Sequence, residues 1–142
     1  MSELRLSRRF AATPERVFDA WTNPAVLRRW WAAKPEWDSP AADVDARPGG
    51  RYRLSMTDTG SGETRTVAGE YVEVTPPARL VYTWRWEGMD AETLVTVEFV
   101  ADGGGTRVEL LQTGFPDEQE RDMHADGWGG CLDNLERRVF SG

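Results

Sequence analysis

Residues 79–110 read RLVYTWRWEGMDAETLVTVEFVADGGGTRVEL, and the period of this stretch decides the fold. Leu80, Tyr82, Trp84 and Trp86 alternate with Arg79, Val81, Thr83 and Arg85. A period of two sends the two sets to opposite faces of a strand. Glu87–Asp90 is a turn, after which Val95, Val97 and Phe99 alternate with Thr96 and Glu98. Asp102-Gly103-Gly104-Gly105 is a hairpin signal, because glycine reaches the positive φ that a tight hairpin turn demands. Val108 and Leu110 open a further strand that ends near Gly114. Connections this short permit only antiparallel pairing. One apolar and one polar face per strand describe a sheet solvated on one side.

The same pattern extends upstream. Residues 64–74 form a strand that Pro76-Pro77 ends, and Asp58–Gly62 is a loop. Tyr52, Leu54 and Met56 alternate with Arg51, Arg53 and Ser55. Across the Pro48-Gly49-Gly50 turn, Ala42, Val44 and Ala46 alternate with Asp43, Asp45 and Arg47. Residues 32–40, AAKPEWDSP, hold two prolines and no period, so they read as loop. Before them the period becomes helical. Thr13-Pro14 and Asn23-Pro24 each place a capping side chain before a proline suited to the first helical turn. Val17, Phe18 and Trp21 follow the first, and Val26, Leu27, Trp30 and Trp31 the second. Residues 3–10 alternate around Leu4, Leu6 and Phe10 and read as a strand.

Downstream, Asp117 with Glu120 three residues on is a capping box. Trp128, Cys131, Leu132, Leu135 and Val139 then form one apolar stripe of a long helix. Gly127, Gly129 and Gly130 lie inside it, each costing about 1 kcal/mol relative to Ala. They imply either close approach of the helix to the sheet or space left for something else. The order is strand, two short helices, six antiparallel strands, long helix. This is an α+β chain whose curved sheet wraps its apolar face around the C-terminal helix, as one domain over residues 1–142.

Composition narrows the function. No stretch approaches the ~20 apolar residues of a membrane span. The net charge of −7 argues against a nucleic-acid partner. One Cys and one His cannot build a structural zinc site, and a lone Cys suits a reducing compartment. The start, MSELRLSRRF, has no apolar signal region, so a cytoplasmic location is expected. No cofactor fingerprint, phosphate loop or nucleophile elbow is present. What stands out is seven Trp among fifteen aromatics, a set that needs a large apolar interior or an apolar pocket.

Several strings together resemble the START-like, or SRPBCC, superfamily. Within it the chain is similar to the family named after activator of heat-shock protein 90 ATPase homologues. The strings are Thr13-Pro14-Glu15-Arg16-Val17-Phe18-Asp19-Ala20-Trp21, the doublet Trp30-Trp31, and Asp45-Ala46-Arg47-Pro48-Gly49-Gly50-Arg51-Tyr52. Further along come Gly69-Glu70-Tyr71-Val72-Glu73-Val74, then Pro77, Leu80 and Trp84. His124-Ala125-Asp126-Gly127-Trp128 and Leu132-Asp133-Asn134-Leu135 complete the set. The resemblance implies a helix-grip fold with a cavity between sheet and long helix, often used for apolar ligands. It does not imply one reaction, since the superfamily includes lipid carriers, hormone-binding proteins, polyketide cyclases and oxygenase subunits.

On this reading Trp30, Trp31, Tyr52, Tyr82, Trp84, Trp86, Phe99 and Trp128 converge on the concave side. Leu54, Met56, Val97, Leu110, His124 and Cys131 complete the candidate ligand-binding set. The plainer account is ordinary core packing. His124 is the weak catalytic candidate, placed on the helix where it could meet a pocket mouth. Cys131 reads as a buried structural thiol, with neither a base nor a cation beside it. Glu73 would be a candidate acid if turned inward, because Tyr71-Val72 leaves the parity of that strand open; an outward Glu paired with an Arg is the alternative. Arg51, Arg53 and Arg85 fall on the solvated face, opposite the aromatics. Three functions follow: binding of a small apolar molecule, a cyclase or dehydratase using the same cavity, or a module that docks on a chaperone.

Overall fold

Thr13 and Asn23 act as the sequence predicts in the computed structural model, which describes residues 2–140. Strand β1 (Ser2–Phe10) leads into helix α1 (Pro14–Thr22), where the Thr13 hydroxyl accepts from the Arg16 N–H at 3.3 Å. Helix α2 (Pro24–Trp30) follows at once, with the Asn23 Oδ1 accepting from the Ala25 N–H at 3.0 Å. Two caps in succession break the helical stretch and fold α1 against α2.

Six strands come next: β2 (Asp38–Val44), β3 (Arg51–Thr57), β4 (Thr64–Thr75), β5 (Arg79–Trp86), β6 (Thr93–Asp102) and β7 (Gly105–Phe115). Each of these after β2 pairs antiparallel with the one before. The β6–β7 turn is Gly103-Gly104, with φ of 56° and 86°, between the partners Asp102 and Gly105. β1 then adds beyond β7, setting Leu6 opposite Leu110 and giving the order β1-β7-β6-β5-β4-β3-β2.

Two expectations are corrected here. The loop expected over residues 32–40 is shorter, because β2 already begins at Asp38. β2 is an edge strand with a register shift between Asp38 and Ala41, a place where the missing N–H of Pro40 is tolerated. The open parity of β4 is settled by a register shift between Tyr71 and Glu73. Val72 is looped out and 58% exposed, Tyr71 faces inward opposite Tyr82, and Glu73 faces outward. Glu73 meets Arg79 at 3.2 Å, so it is an ion-pair partner and not an interior acid. Arg51, Arg53 and Arg85 are exposed as expected, Arg53 gripping Glu87 through two bonds of 2.8 and 3.0 Å.

The long helix α3 (Glu118–Leu135) starts where Asp117 accepts from the Glu120 N–H at 2.8 Å. Trp128, Cys131, Leu132 and Leu135 are buried against the sheet and the short helices, closing the helix-grip fold. Val139 is partly buried on the same core, but in a π-helical turn, Glu136–Phe140, and not in α3 itself. The three helix glycines do not act alike. A Cβ on Gly130 would fall 1.8 Å from the Ala33 carbonyl oxygen, so the close approach is to the loop after α2 and not to the sheet. A Cβ on Gly127 or Gly129 would meet nothing within 4 Å. From α3 and its terminal turn, Asn134 donates to the Ala32 and Lys34 carbonyls at 2.9 and 3.0 Å. Arg138 donates to the carbonyls of Arg29, Pro35 and Trp37.

Candidate functional site

Five elements bring side chains to one point of the interior. Trp21 from α1, Leu27 from α2, Trp31 just after it, Tyr52 and Leu54 from β3, Tyr71 from β4 and Tyr82 from β5 enclose a void of about 10 Å³. That is room for about one water molecule. The protein's own rings fill the concave side. Trp31, Tyr52, Leu54 and Tyr82 are thus brought together as the sequence suggested. Trp21, Leu27 and Tyr71 join them from positions not in the candidate set. Tyr71 was hidden by the Val72 bulge, and Trp21 and Leu27 had signals only as helix-face residues.

The three tyrosines touch one another, with ring centroids 5.6 Å (Tyr52–Tyr71), 5.2 Å (Tyr52–Tyr82) and 5.8 Å (Tyr71–Tyr82) apart. Tyr52 donates to the Thr83 carbonyl at 2.5 Å. Burial raises all three phenols above their ordinary range, so each is a neutral hydrogen-bonding group near pH 7.

A second aromatic group adjoins the first through Trp31. Trp84 lies 6.0 Å from Trp31, 5.6 Å from Trp86, 5.3 Å from Trp128 and 6.1 Å from His124. His124 Nε2 accepts from the Trp86 indole N–H at 2.9 Å. His124 Nδ1 stands 2.8 Å from the Glu120 carbonyl, which can only accept, so the ring is neutral with its proton on Nδ1. Both nitrogens are committed, and His124 would act as an acid or base only after leaving Trp86. The Trp128 indole donates to Gln112 Oε1 at 2.9 Å, and Gln112 Nε2 donates to Thr93 Oγ1 at 2.8 Å. The Trp84 indole N–H, in a side chain only 4% exposed, has no partner among the described residues.

The other candidates lie apart from the void. Trp30 is fully buried, donates to the Ala20 carbonyl at 3.0 Å and packs on Trp21. Phe99 packs against Phe18 and Trp21. Met56, Val97, Leu110 and Cys131 are buried core positions. Burial pushes the Cys131 thiol up to about 12, so it is protonated and unreactive near neutrality. On the outer sheet face a depression of about 300 Å³ is lined by residues that include Arg5, Ser7, Arg79, Glu98 and Glu109. Its charges are matched within the sheet, Arg79 with Glu98 and Glu73, Glu109 with Arg107, and Arg5 with Glu3. Among the described residues no three His, Cys, Asp or Glu gather to hold a metal, and no helix is long and apolar enough to cross a membrane.

Solved structures repeat this architecture over nearly the whole chain. A protein of Chromobacterium violaceum is 29% identical with a TM-score of 0.87, covering 99% of this chain and 98% of its own. The AHSA1 protein of Silicibacter pomeroyi is 29% identical with a TM-score of 0.86, covering 97% of each chain. A protein of Rhizobium leguminosarum is 32% identical with a TM-score of 0.77, covering 96% of this chain and 92% of its own. Comparison with curated protein sequences gives no match. The family model described as Activator of Hsp90 ATPase homolog 1-like protein matches residues 11–139. With that match, the sheet order and the gripped helix together, the chain belongs to the Activator of Hsp90 ATPase homolog 1-like family within the START-like superfamily.

Proposed function

We propose that the protein binds a small hydrophobic or aromatic molecule between the curved sheet and α3, at the wall formed by Trp31 and its neighbours. The observation that carries this reading is the void ringed by Trp21, Trp31, Tyr52, Tyr71 and Tyr82. Rings drawn from four separate elements and the start of a loop meet there. They carry hydroxyl and indole groups where a plain core would use Leu and Phe. A mostly apolar lining with a few polar groups is the usual design of a small-molecule site. A void of about 10 Å³ holds no organic ligand, so binding displaces at least one ring and opens the grip. The ligand then replaces the aromatic contacts that opening removes, at roughly 25 cal/mol for each Å² of apolar surface it buries.

The test is native mass spectrometry of protein purified gently from its own host, set against the denatured mass. A non-covalent mass is expected, and Leu54→Phe, which fills the void, should reduce it. If the host protein carries no such mass and no apolar compound in a screen changes its tryptophan emission, the reading fails. The family description favours a second reading, docking on a chaperone. Stimulation of a chaperone ATPase, weakened by reversing the acidic start of α3 at Glu118 and Asp122, would support it.

A further inference from the structure

We infer that the bound molecule carries a hydrogen-bond acceptor, in the simplest case an uncharged carbonyl oxygen, and that the Trp84 indole N–H donates to it. The inference rests on the reading of the interior as a ligand site. Three other indoles of the interior have acceptors: Trp30 on Ala20, Trp86 on His124 and Trp128 on Gln112. Among the described residues, the Trp84 indole nitrogen is the side-chain polar atom closed off from solvent that has no acceptor. A buried donor with no partner is rare because it has given up water for nothing. Phe at position 84 would supply a buried aromatic ring without that penalty.

Two side-chain acceptors of this aromatic group are engaged elsewhere. Gln112 Oε1 is taken by Trp128, and His124 Nε2 by Trp86. The rings within reach of Trp84 belong to Trp31, Trp86, Trp128 and a neutral His124, none of which carries a charge. A carboxylate would be buried there without a counter-charge, whereas a ketone, aldehyde, ester or amide oxygen needs only one donor. The flat ring faces suit an aromatic or conjugated carbonyl compound. A way in exists as well. Trp86 and His124 are only partly buried and are joined by one side-chain hydrogen bond, so breaking it uncovers Trp84.

Two probes of nearly equal shape separate this inference from the reading it rests on: 2-acetylnaphthalene, which carries a carbonyl, and 2-isopropenylnaphthalene, which does not. Affinities come from tryptophan quenching, and indole N–H resonances from a ¹⁵N-labelled sample with sequence-specific assignment. The ketone is expected to bind roughly tenfold more tightly, as one added hydrogen bond provides, and to move the Trp84 indole proton downfield. In Trp84→Phe the two probes should bind equally. Equal affinities in the unaltered protein, with the Trp84 proton unmoved, overturn the acceptor inference and leave apolar binding standing. A long-lived water contact to that proton in the free protein also overturns it. Failure of both probes to bind overturns both readings. If Trp84→Phe does not fold, the shift of the Trp84 proton with ketone against alkene decides alone.

Discussion

The two halves of α3 are built on opposite terms. From Gly130 onward the helix is fastened to the loop that follows α2. Gly130 lies against the Ala33 backbone, Asn134 bonds two carbonyls of that loop, and Leu132 and Leu135 are buried. Before Gly130 the fastening is sparse. Met123 is 51% exposed, Gly127 and Gly129 have open space beside them, and two side-chain bonds reach the sheet, Trp86 to His124 and Trp128 to Gln112. The Trp84 indole with no partner lies in contact with the His124 and Trp128 rings of that looser half. The contrast teaches that α3 is held at one end by backbone contact with a loop and at the other by side-chain bonds to the sheet.

The strongest way to break this contrast is Gly130→Ala. A Cβ 1.8 Å from a carbonyl oxygen forces the helix and the loop apart. We expect a loss of about 3 kcal/mol in urea unfolding, the upper end of overpacking effects. A neutral or stabilising result would mean that the tight half is not tight. The same change one and three residues earlier, at Gly129 and Gly127, has the opposite sign, as argued below.

That difference was invisible in the sequence, where Gly127, Gly129 and Gly130 read alike. The local features were legible. Alternation gave the strands, Thr13, Asn23 and Asp117 gave the helix starts, and the Gly103-Gly104 turn gave the β6–β7 hairpin, because each depends on neighbours in the chain. What depended on distant partners was not. The pairing of β1 with β7 joins the two ends of the domain, and no local pattern encodes it. Pro40 reads as a loop residue until β2 is known to be an edge strand. The site divided the same way. Tyr52 and Tyr82 followed from strand parity and Trp31 from the second helix, but the Trp86–His124 bond spans 38 residues and only the folded sheet brings its partners together. The orphaned Trp84 N–H is a fact about its surroundings, which composition cannot show.

A second prediction tests whether the fastened half excludes water. The Cys131 thiol has an ordinary value of 9.0 and is pushed up to about 12 by burial. The folded chain therefore holds this proton more tightly than the unfolded chain does. Its contribution to stability is fully present below about pH 9 and is lost as the pH rises from there toward 12. The raised phenols of Tyr52, Tyr71 and Tyr82 act in the same direction at higher pH. Between pH 8 and pH 10, Cys131 should account for a loss of about 1 kcal/mol. Urea unfolding of Cys131→Ala, followed over that interval, should fall less steeply than the unaltered protein by that amount. Parallel curves would place water at the thiol and weaken the comparison.

The smallest expected effect bears most directly on function. Gly127→Ala and Gly129→Ala each add a methyl group where nothing lies within 4 Å, on a helix that glycine weakens. Each should stabilise the protein by up to about 1 kcal/mol, because Ala lowers the entropy lost on forming the helix. If the looser half of α3 must part from the sheet to admit a ligand, the doubly substituted protein should also bind 2-acetylnaphthalene more slowly. The final indole shift of Trp84 should stay the same, since neither residue lies among the rings that meet Trp84. Stopped-flow quenching measures the rate and the ¹⁵N spectrum the end state. A gain in stability with an unchanged association rate would show that entry does not pass beneath this half of the helix. A slower rate with an unchanged end state would assign the opening to it, and would make the weak glycine-bearing segment a functional counterpart of the fastened one.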